Sequence, residues 1–424
     1  MLKDHPQRYA LANELHARPF PALTAPCRAA FLAIKRESDA AGRDRSLDRA
    51  HLDALLDRFG GPRPAPDATH FFGALGRHRL KWESHTEFVT YTLFSDGVAD
   101  RPFDGAIFDV FPRDWLDEAP GMRLTSALVR VEQQTPGDRI VEKLDDWFVG
   151  ESLAVSRVLD DSALVASDFR IDGAGHVRFA VFAADDTGEK RVGRIVQRLT
   201  EIETYKTMAM LALPRARALS GDVGRMDTEL SGLVGRLRAG EAATEETLEG
   251  LLTIGSELET MLARSAFRFG AQEAYETLVN ERIRVLREER FGGRQTLGEF
   301  MMRRFDPAMR TCRSVQNRMS ALAERAKRAG DLLSTRVNVD RADQNAVLLK
   351  SMDARAAAQL RLQRTVEGLS VVAISYYALN LVAYMLYPLA ARVGMREGTV
   401  TALAVVPVIL GVWFILRQVR KKLE

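Results

Sequence analysis

The sequence predicts an α+β domain followed by a helical bundle, a long stalk helix and a C-terminal two-helix transmembrane hairpin. Three observations predict it. Between residues 77 and 181 the apolar positions recur every second residue, which is the strand period. From Gly188 onward they recur with the helical period of 3.6. Near the C-terminus, residues 368–389 and 399–416 carry no charged side chain at all. The expected divisions are an α+β domain over 1–186, a helical layer over 187–308, a stalk helix over 309–367 and the hairpin with a basic tail over 368–424.

In the first domain, RLKWESHTEFVTYTLF alternates so that Lys81, Glu83, His85 and Glu87 share one strand face, with Leu80, Trp82 and Phe88 on the other. AIFDVF, LTSALVRVE, ALVASDFRID and VRFAVFAA read as further strands of a mixed or antiparallel sheet. The glycines of GAGH supply the positive φ that a tight turn needs. Helical segments over 46–59 and 139–148 are expected to cover one face of that sheet.

In the helical layer, Val192, Ile195, Leu199, Ile202 and Met208 form one apolar stripe. Charges occupy the other faces, so these helices are expected to pack on each other and on the stalk, with breaks at Pro214, Gly240 and the paired glycines of RFGGRQ. No proline interrupts the chain between Pro307 and Pro388, which permits a single helix. At 1.5 Å per residue, a helix over 309–389 is on the order of 120 Å long.

The uncharged stretch at 368–389 is the expected first membrane span, since about 20 apolar residues cross a hydrocarbon core roughly 30 Å thick. The second span, 399–416, follows after a short loop, and Pro407 is tolerated there when neighbouring groups satisfy the freed carbonyl. Arg355, Arg361 and Arg364 precede the pair, and Arg417, Arg420, Lys421 and Lys422 follow it. That excess over the loop places both termini in the cytoplasm. A net charge of +3, with much of the surplus beside the spans, gives no ground for a nucleic-acid partner. Cys27 and Cys312 lack metal or redox spacing, which fits a reducing cytosol. Absent an HExxH, a nucleophile elbow or a Walker loop, the expectation is a protein that is not an enzyme.

Four groups of residues carry candidate chemistry. Glu83, His85 and Glu87, two apart on a strand, have metal-ligand spacing, against the plainer reading of a solvated face with cross-strand ion pairs. Glu14, His16 and Arg18 stand at a proline-rich turn as a candidate polar site, against a helix end with Arg18 paired to a carboxylate. Asp340, Asp343 and Asp353 are carboxylates on the stalk that could sense a divalent cation. In the first span, alternating steps of four and three connect Gln359, Gln363, Val366, Ser370, Ala373, Tyr377, Asn380, Tyr384 and Tyr387. Ser370, Tyr377, Asn380 and Tyr384 are the pore-lining candidates of that stripe. The plainer reading of Asn380 is a hydrogen bond between helices, because an amide in hydrocarbon seeks any partner.

NELHARPFP, KWESHTEFVTYT and TVEGLSVVAISYYAL together resemble an uncharacterised family of bacterial membrane-anchored proteins over essentially the whole chain. That resemblance implies topology and a bacterial inner-membrane location, and no activity. The order of domain, helical layer, stalk, span, short loop, span and basic tail also resembles the CorA-type magnesium channels, which are pentamers. The resemblance implies a homo-oligomer, a pentamer by preference, in a lipid bilayer. The Gly-Met-Asn signature of those channels is missing, since the corresponding residues are Ala383-Tyr384-Met385-Leu386-Tyr387-Pro388. The expected function is therefore an oligomeric membrane protein of CorA-like architecture acting as a cation channel or transporter. The alternative is a non-conducting membrane-anchored scaffold or ligand-sensing protein.

Overall fold

A computed structural model describes residues 2–14, 20–66, 68–239, 244–392 and 395–423. Two compact units divide the chain, residues 1–329 and 330–424.

The first unit is built on a sheet. Its strands are β1 (Cys27–Lys35), β2 (His70–Leu75), β3 (His78–Ser84), β4 (Phe88–Asp96), β5 (Met122–Gln133), β6 (Ala154–Val158), β7 (Ala163–Ser167), β8 (Val177–Ala183) and the short β9 (Glu289–Arg290). They lie in the order β2-β3-β4-β1-β5-β8-β7-β6-β9. Neighbours run antiparallel except β5 and β8, which are parallel. The helices are α1 (Arg8–Glu14), α2 (Arg45–Arg58), α3 (Arg113–Asp117), α4 (Gly137–Trp147), α5 (Glu189–Met210), α6 (Ala212–Ala239), α7 (Thr244–Arg284), α8 (Leu297–Arg304) and the start of α9 (Asp306–Arg392).

β1 is a central strand because it is apolar on both sides. Ala29, Phe31 and Ala33 face the core shared with α5, while Ala30, Leu32 and Ile34 face the core shared with α2 and α3. Farther along the sheet, Ala180 and Phe182 of β8 pack with Ile140, Leu144 and Trp147 of α4. Helices thus cover both faces of the sheet, where the sequence suggested one. The apolar pattern of AIFDVF also reads differently in the fold. Asp104 accepts a hydrogen bond from the Ala106 amide at 3.1 Å and starts a 3-10 turn over Gly105–Val110, which drops Ile107 into the core.

β3 stops at Ser84, and residues 85–87 turn the chain into β4. The turn resets the alternation, so Phe88 joins the α5-side core while Leu80 and Trp82 join the opposite one. The single run of Lys81, Glu83, His85 and Glu87 along one strand is therefore corrected. Only Lys81 and Glu83 belong to β3, and His85 and Glu87 sit in the turn.

α5 lies across the sheet with Val192, Ile195, Val196, Leu199 and Ile202 buried. Its closest approach is at Gly193, where an added Cβ would stand 1.6 Å from the Pro21 carbonyl oxygen. Leu23 N donates to Glu189 O at 3.0 Å, and Thr24 Oγ1 to Glu189 Oε1 at 2.7 Å, so residues 21–24 are stitched to the start of the helix.

Under the other face, His51 stacks on Trp115 at 3.9 Å between ring centroids. Its Nε2 lies 2.9 Å from the Trp115 carbonyl oxygen, which can only accept, so the proton sits on Nε2 and Nδ1 accepts from the Tyr91 hydroxyl at 2.9 Å. Burial lowers the His51 pKa from its usual value of 6.5, and burial does the same for His176. The folded state thus favours neutral imidazole. The stabilisation is full above the unfolded value and is lost as pH falls below about 6.5. Thermal melts are expected to show a falling midpoint from neutral pH toward pH 5, with a shallower fall in the His51→Gln variant; an identical slope in that variant contradicts the assignment.

In the second unit, α9 continues to Arg392 and α10 spans Glu397–Leu423. Both contain windows long and apolar enough to cross a membrane, with mean hydropathy 1.7 and 2.4. Pro388 and Pro407 lie inside these helices. Small residues close the hairpin: Ala383, Val400 and Ala404 are buried, and the Tyr387 and Thr401 hydroxyls lie 3.1 Å apart.

Candidate ligand-binding site

Between α5 and the α5-facing side of β3 and β4 the packing is polar. Four threonines, Thr90 and Thr92 of β4 and Thr200 and Thr204 of α5, are buried there. Lys81 is only 4% exposed. Its Nζ donates to Gln197 Oε1 at 2.7 Å and stands 3.2 Å from Glu83 Oε2. Gln197 passes the chain on, donating through Nε2 to Glu201 Oε1 at 2.7 Å, and Arg282 of α7 pairs with the other Glu201 oxygen. Burying an ammonium and carboxylates is costly unless each is paired, and this line of contacts pairs them from sheet to α5 to α7.

Two spaces that share lining residues open along the line. The inner one, of about 20 Å³, is lined by Lys81, the threonines and Phe31, Phe88 and Phe94. A polar space of that size holds a single water. The outer one, of about 310 Å³, adds Phe20, Arg198, Arg282 and Val285. Glu83, His85, Gln197, Glu201 and Tyr205 line both.

The 85–87 turn that forms one wall is held by two arginines. Arg43, buried, pairs with Asp48 at 2.7 Å and donates to the carbonyl oxygens of Ala40, Thr86, His85 and Phe88. Arg268 of α7 makes a two-pronged contact to Glu87, at 2.8 and 3.3 Å. Burial, and then the Glu87 charge, raise the Tyr275 phenol pKa above its usual value beside that pair. His85 stacks on Phe88 with centroids 4.4 Å apart. Glu87 is thus committed to Arg268 and Glu83 to Lys81. Among the described residues no three His, Cys, Asp or Glu side chains gather as a metal-holding group.

Residues 3–423 match a family described as Protein of unknown function (DUF3422). The chain belongs to that family. No curated protein matches it.

In this DUF3422 member the other sequence-derived candidates are dispersed. The site formed by Glu14, His16 and Arg18 lies outside the described residues, apart from the Glu14 backbone at the end of α1; the described chain resumes at Phe20, which lines the outer space. Asp340, Asp343 and Asp353 are exposed on α9. Ser370, Tyr377 and Tyr384 are exposed as well, the two tyrosines at 67% and 70%. Ser370 Oγ donates back to the Val366 carbonyl at 2.8 Å. Asn380 is half-buried, and its side chain makes no hydrogen bond among the described residues. The stripe therefore faces mostly away from α10.

Gln197, Arg198, Glu201 and Arg282 escape a reading by segments, because they converge from α5 and α7 on a strand more than a hundred residues earlier. One signal was present. Thr200, Glu201 and Thr204 interrupt the helical stripe of Ile195, Leu199 and Ile202 on neighbouring positions, and polar residues beside a buried stripe mark a polar interface.

Proposed function

We propose that this chain is a membrane-anchored, self-associating sensor whose sheet unit binds a small polar ligand. The observation that carries the reading is the space beside β3, α5 and α7, where charges of both signs and aromatic rings converge on about 310 Å³. Small-molecule sites combine such concavity with a few placed polar groups. The hairpin supplies the anchor. The excess of Arg and Lys outside the spans favours both termini in the cytoplasm of a bacterial cell. The exposed Tyr377 and Tyr384, with the unpartnered Asn380 amide, favour association with further copies, in a pentamer or another closed ring.

The dialysable fraction of a bacterial extract is expected to raise the melting temperature of the detergent-purified full chain, and to do so much less for Gln197→Ala, measured against its own baseline. Equal protection of both proteins would remove the cavity as the ligand site. For topology, Cys27 and Cys312 are buried, with the Cys27 thiol pushed up to about 12 by burial, so they stay silent to thiol reagents. A cysteine placed at Gly398 is expected to label only from outside the cell; labelling only from inside reverses the topology.

The polar stripe also supports a second reading, a cation channel of CorA-like architecture with Ser370, Tyr377, Asn380 and Tyr384 lining the path. Without Gly-Met-Asn its magnesium preference would be weak. Ion flux into vesicles, abolished by Asn380→Leu with the oligomer intact, is the outcome that reading requires. No flux from the unmodified protein excludes it.

A further inference from the structure

The outer space is lined by two cations, Arg198 and Arg282, and two carboxylates, Glu83 and Glu201. Their partners are unequal. Arg282 is committed to Glu201, and Glu83 to Lys81 behind it in the inner space. Arg198 donates to the Val285 carbonyl oxygen at 3.2 Å, and among the described residues it makes no ion pair. Burial, and then the positive charges of Arg194 and Arg282, lower its pKa from the usual guanidinium value while leaving it charged. Arg194 itself lies over the Phe20 ring at 5.4 Å. Arg198 is therefore the cation of the lining that stands outside an ion pair, while Glu83 and Glu201 keep lone pairs beside their cations that a further donor can use.

A ligand with one sign of charge meets the wrong residues at one end. An anion long enough to fill the space is pressed toward Glu83 and Glu201, and a cation toward Arg198 and Arg282. Phe20, Tyr205 and Val285 offer apolar surface between the two. A volume of about 310 Å³ stands at the small end of small-molecule sites, which run from about 300 to 1,000 Å³, and suits a ligand of the size of a free amino acid.

We infer that the cavity takes a small zwitterion with an apolar body, of the free α-amino acid class, its carboxylate at Arg198 and its ammonium toward Glu83 and Glu201. The inference rests on the cavity being the ligand site. Arg198, charged, near Glu201 but outside any ion pair among the described residues, is the anchor of specificity. The inner space, of about 20 Å³ beside Lys81, has room for one water or one group of that size.

The test uses the full chain in detergent and calorimetric titration with matched probes: L-phenylalanine and L-leucine, 3-phenylpropionate with only the carboxylate, and phenethylamine with only the ammonium. At least one amino acid is expected to bind at least tenfold more tightly than either single-sign analogue. Arg198→Gln is expected to weaken that amino acid at least tenfold, and Arg63→Gln, whose guanidinium pairs with Asp57 on the surface, to leave it unchanged. If 3-phenylpropionate binds as well as phenylalanine, the site takes simple anions and the zwitterion assignment is overturned. Unchanged affinity in Arg198→Gln, or equal loss in Arg63→Gln, overturns it as well. If neither amino acid binds while the dialysable extract still protects the unmodified protein and not Gln197→Ala, the ligand class is wrong and the cavity remains the site; if that protection fails too, both fall.

Discussion

Replacing Arg43 with methionine is expected to destabilise the sheet unit by about 3–5 kcal/mol, the cost of leaving a buried charge without its partner. Asp48 and the Arg43 side chain are almost completely enclosed, so Asp48 would keep a charge that no water reaches. The carbonyl oxygens of His85, Thr86 and Phe88 would lose their shared donor at the same time. That loss is a large share of the total stability of an ordinary domain. Lysine is a poor substitute, because a single ammonium cannot spread over a carboxylate and four carbonyls as the guanidinium fork does. Urea unfolding followed by the fluorescence of Trp82, Trp115 and Trp147, all in this unit, measures the effect. A loss below about 1 kcal/mol would show that solvent or a rearranged turn replaces the arginine.

Gly193→Ala is expected to cost roughly 2–3 kcal/mol, the upper range for overpacking, although it adds a single methyl to a helix and improves intrinsic helix propensity. The added carbon collides with the Pro21 carbonyl oxygen, a backbone atom that cannot rotate aside. Relief requires residues 20–24 to lift from α5, against the bonds from Leu23 and Thr24 to Glu189. Phe20 and Pro21 line the cavity, so ligand protection is expected to fall together with stability. A variant as stable as the unmodified protein would mean that the strap is not fixed against the helix.

The long helix was legible because its signals are local. The absence of proline from 308 to 387 and the uncharged run ahead of Pro388 need no knowledge of the rest of the chain, and α9 runs from Asp306 to Arg392. α2 and α4 were legible for the same reason, each within two residues of its expected ends. Strands open to helices on both faces were harder. CRAAFLAIK is buried on both sides, so it shows no alternation and does not announce itself as the strand next to β4 and β5. Phe88 was placed on the wrong face because three turn residues shift the register, and one residue of shift exchanges the faces of a strand. The cavity was the least legible feature. Glu83, His85 and Glu87 were singled out from spacing as candidate metal ligands, yet what surrounds Glu83 and His85 comes from Gln197, Glu201 and Arg282, whose meeting with β3 depends on α5 crossing the sheet at Gly193.

The ligand cavity is tested most directly by native mass measurement of the full chain, released from detergent after incubation with a dialysable bacterial extract. The account predicts an assembly of several identical chains carrying one small-molecule adduct per chain, with the adduct absent and the assembly kept when Val285→Trp, on the wall of the outer space, fills it. Bare chains with no adduct at any extract concentration, or an adduct that persists unchanged in Val285→Trp, would contradict it.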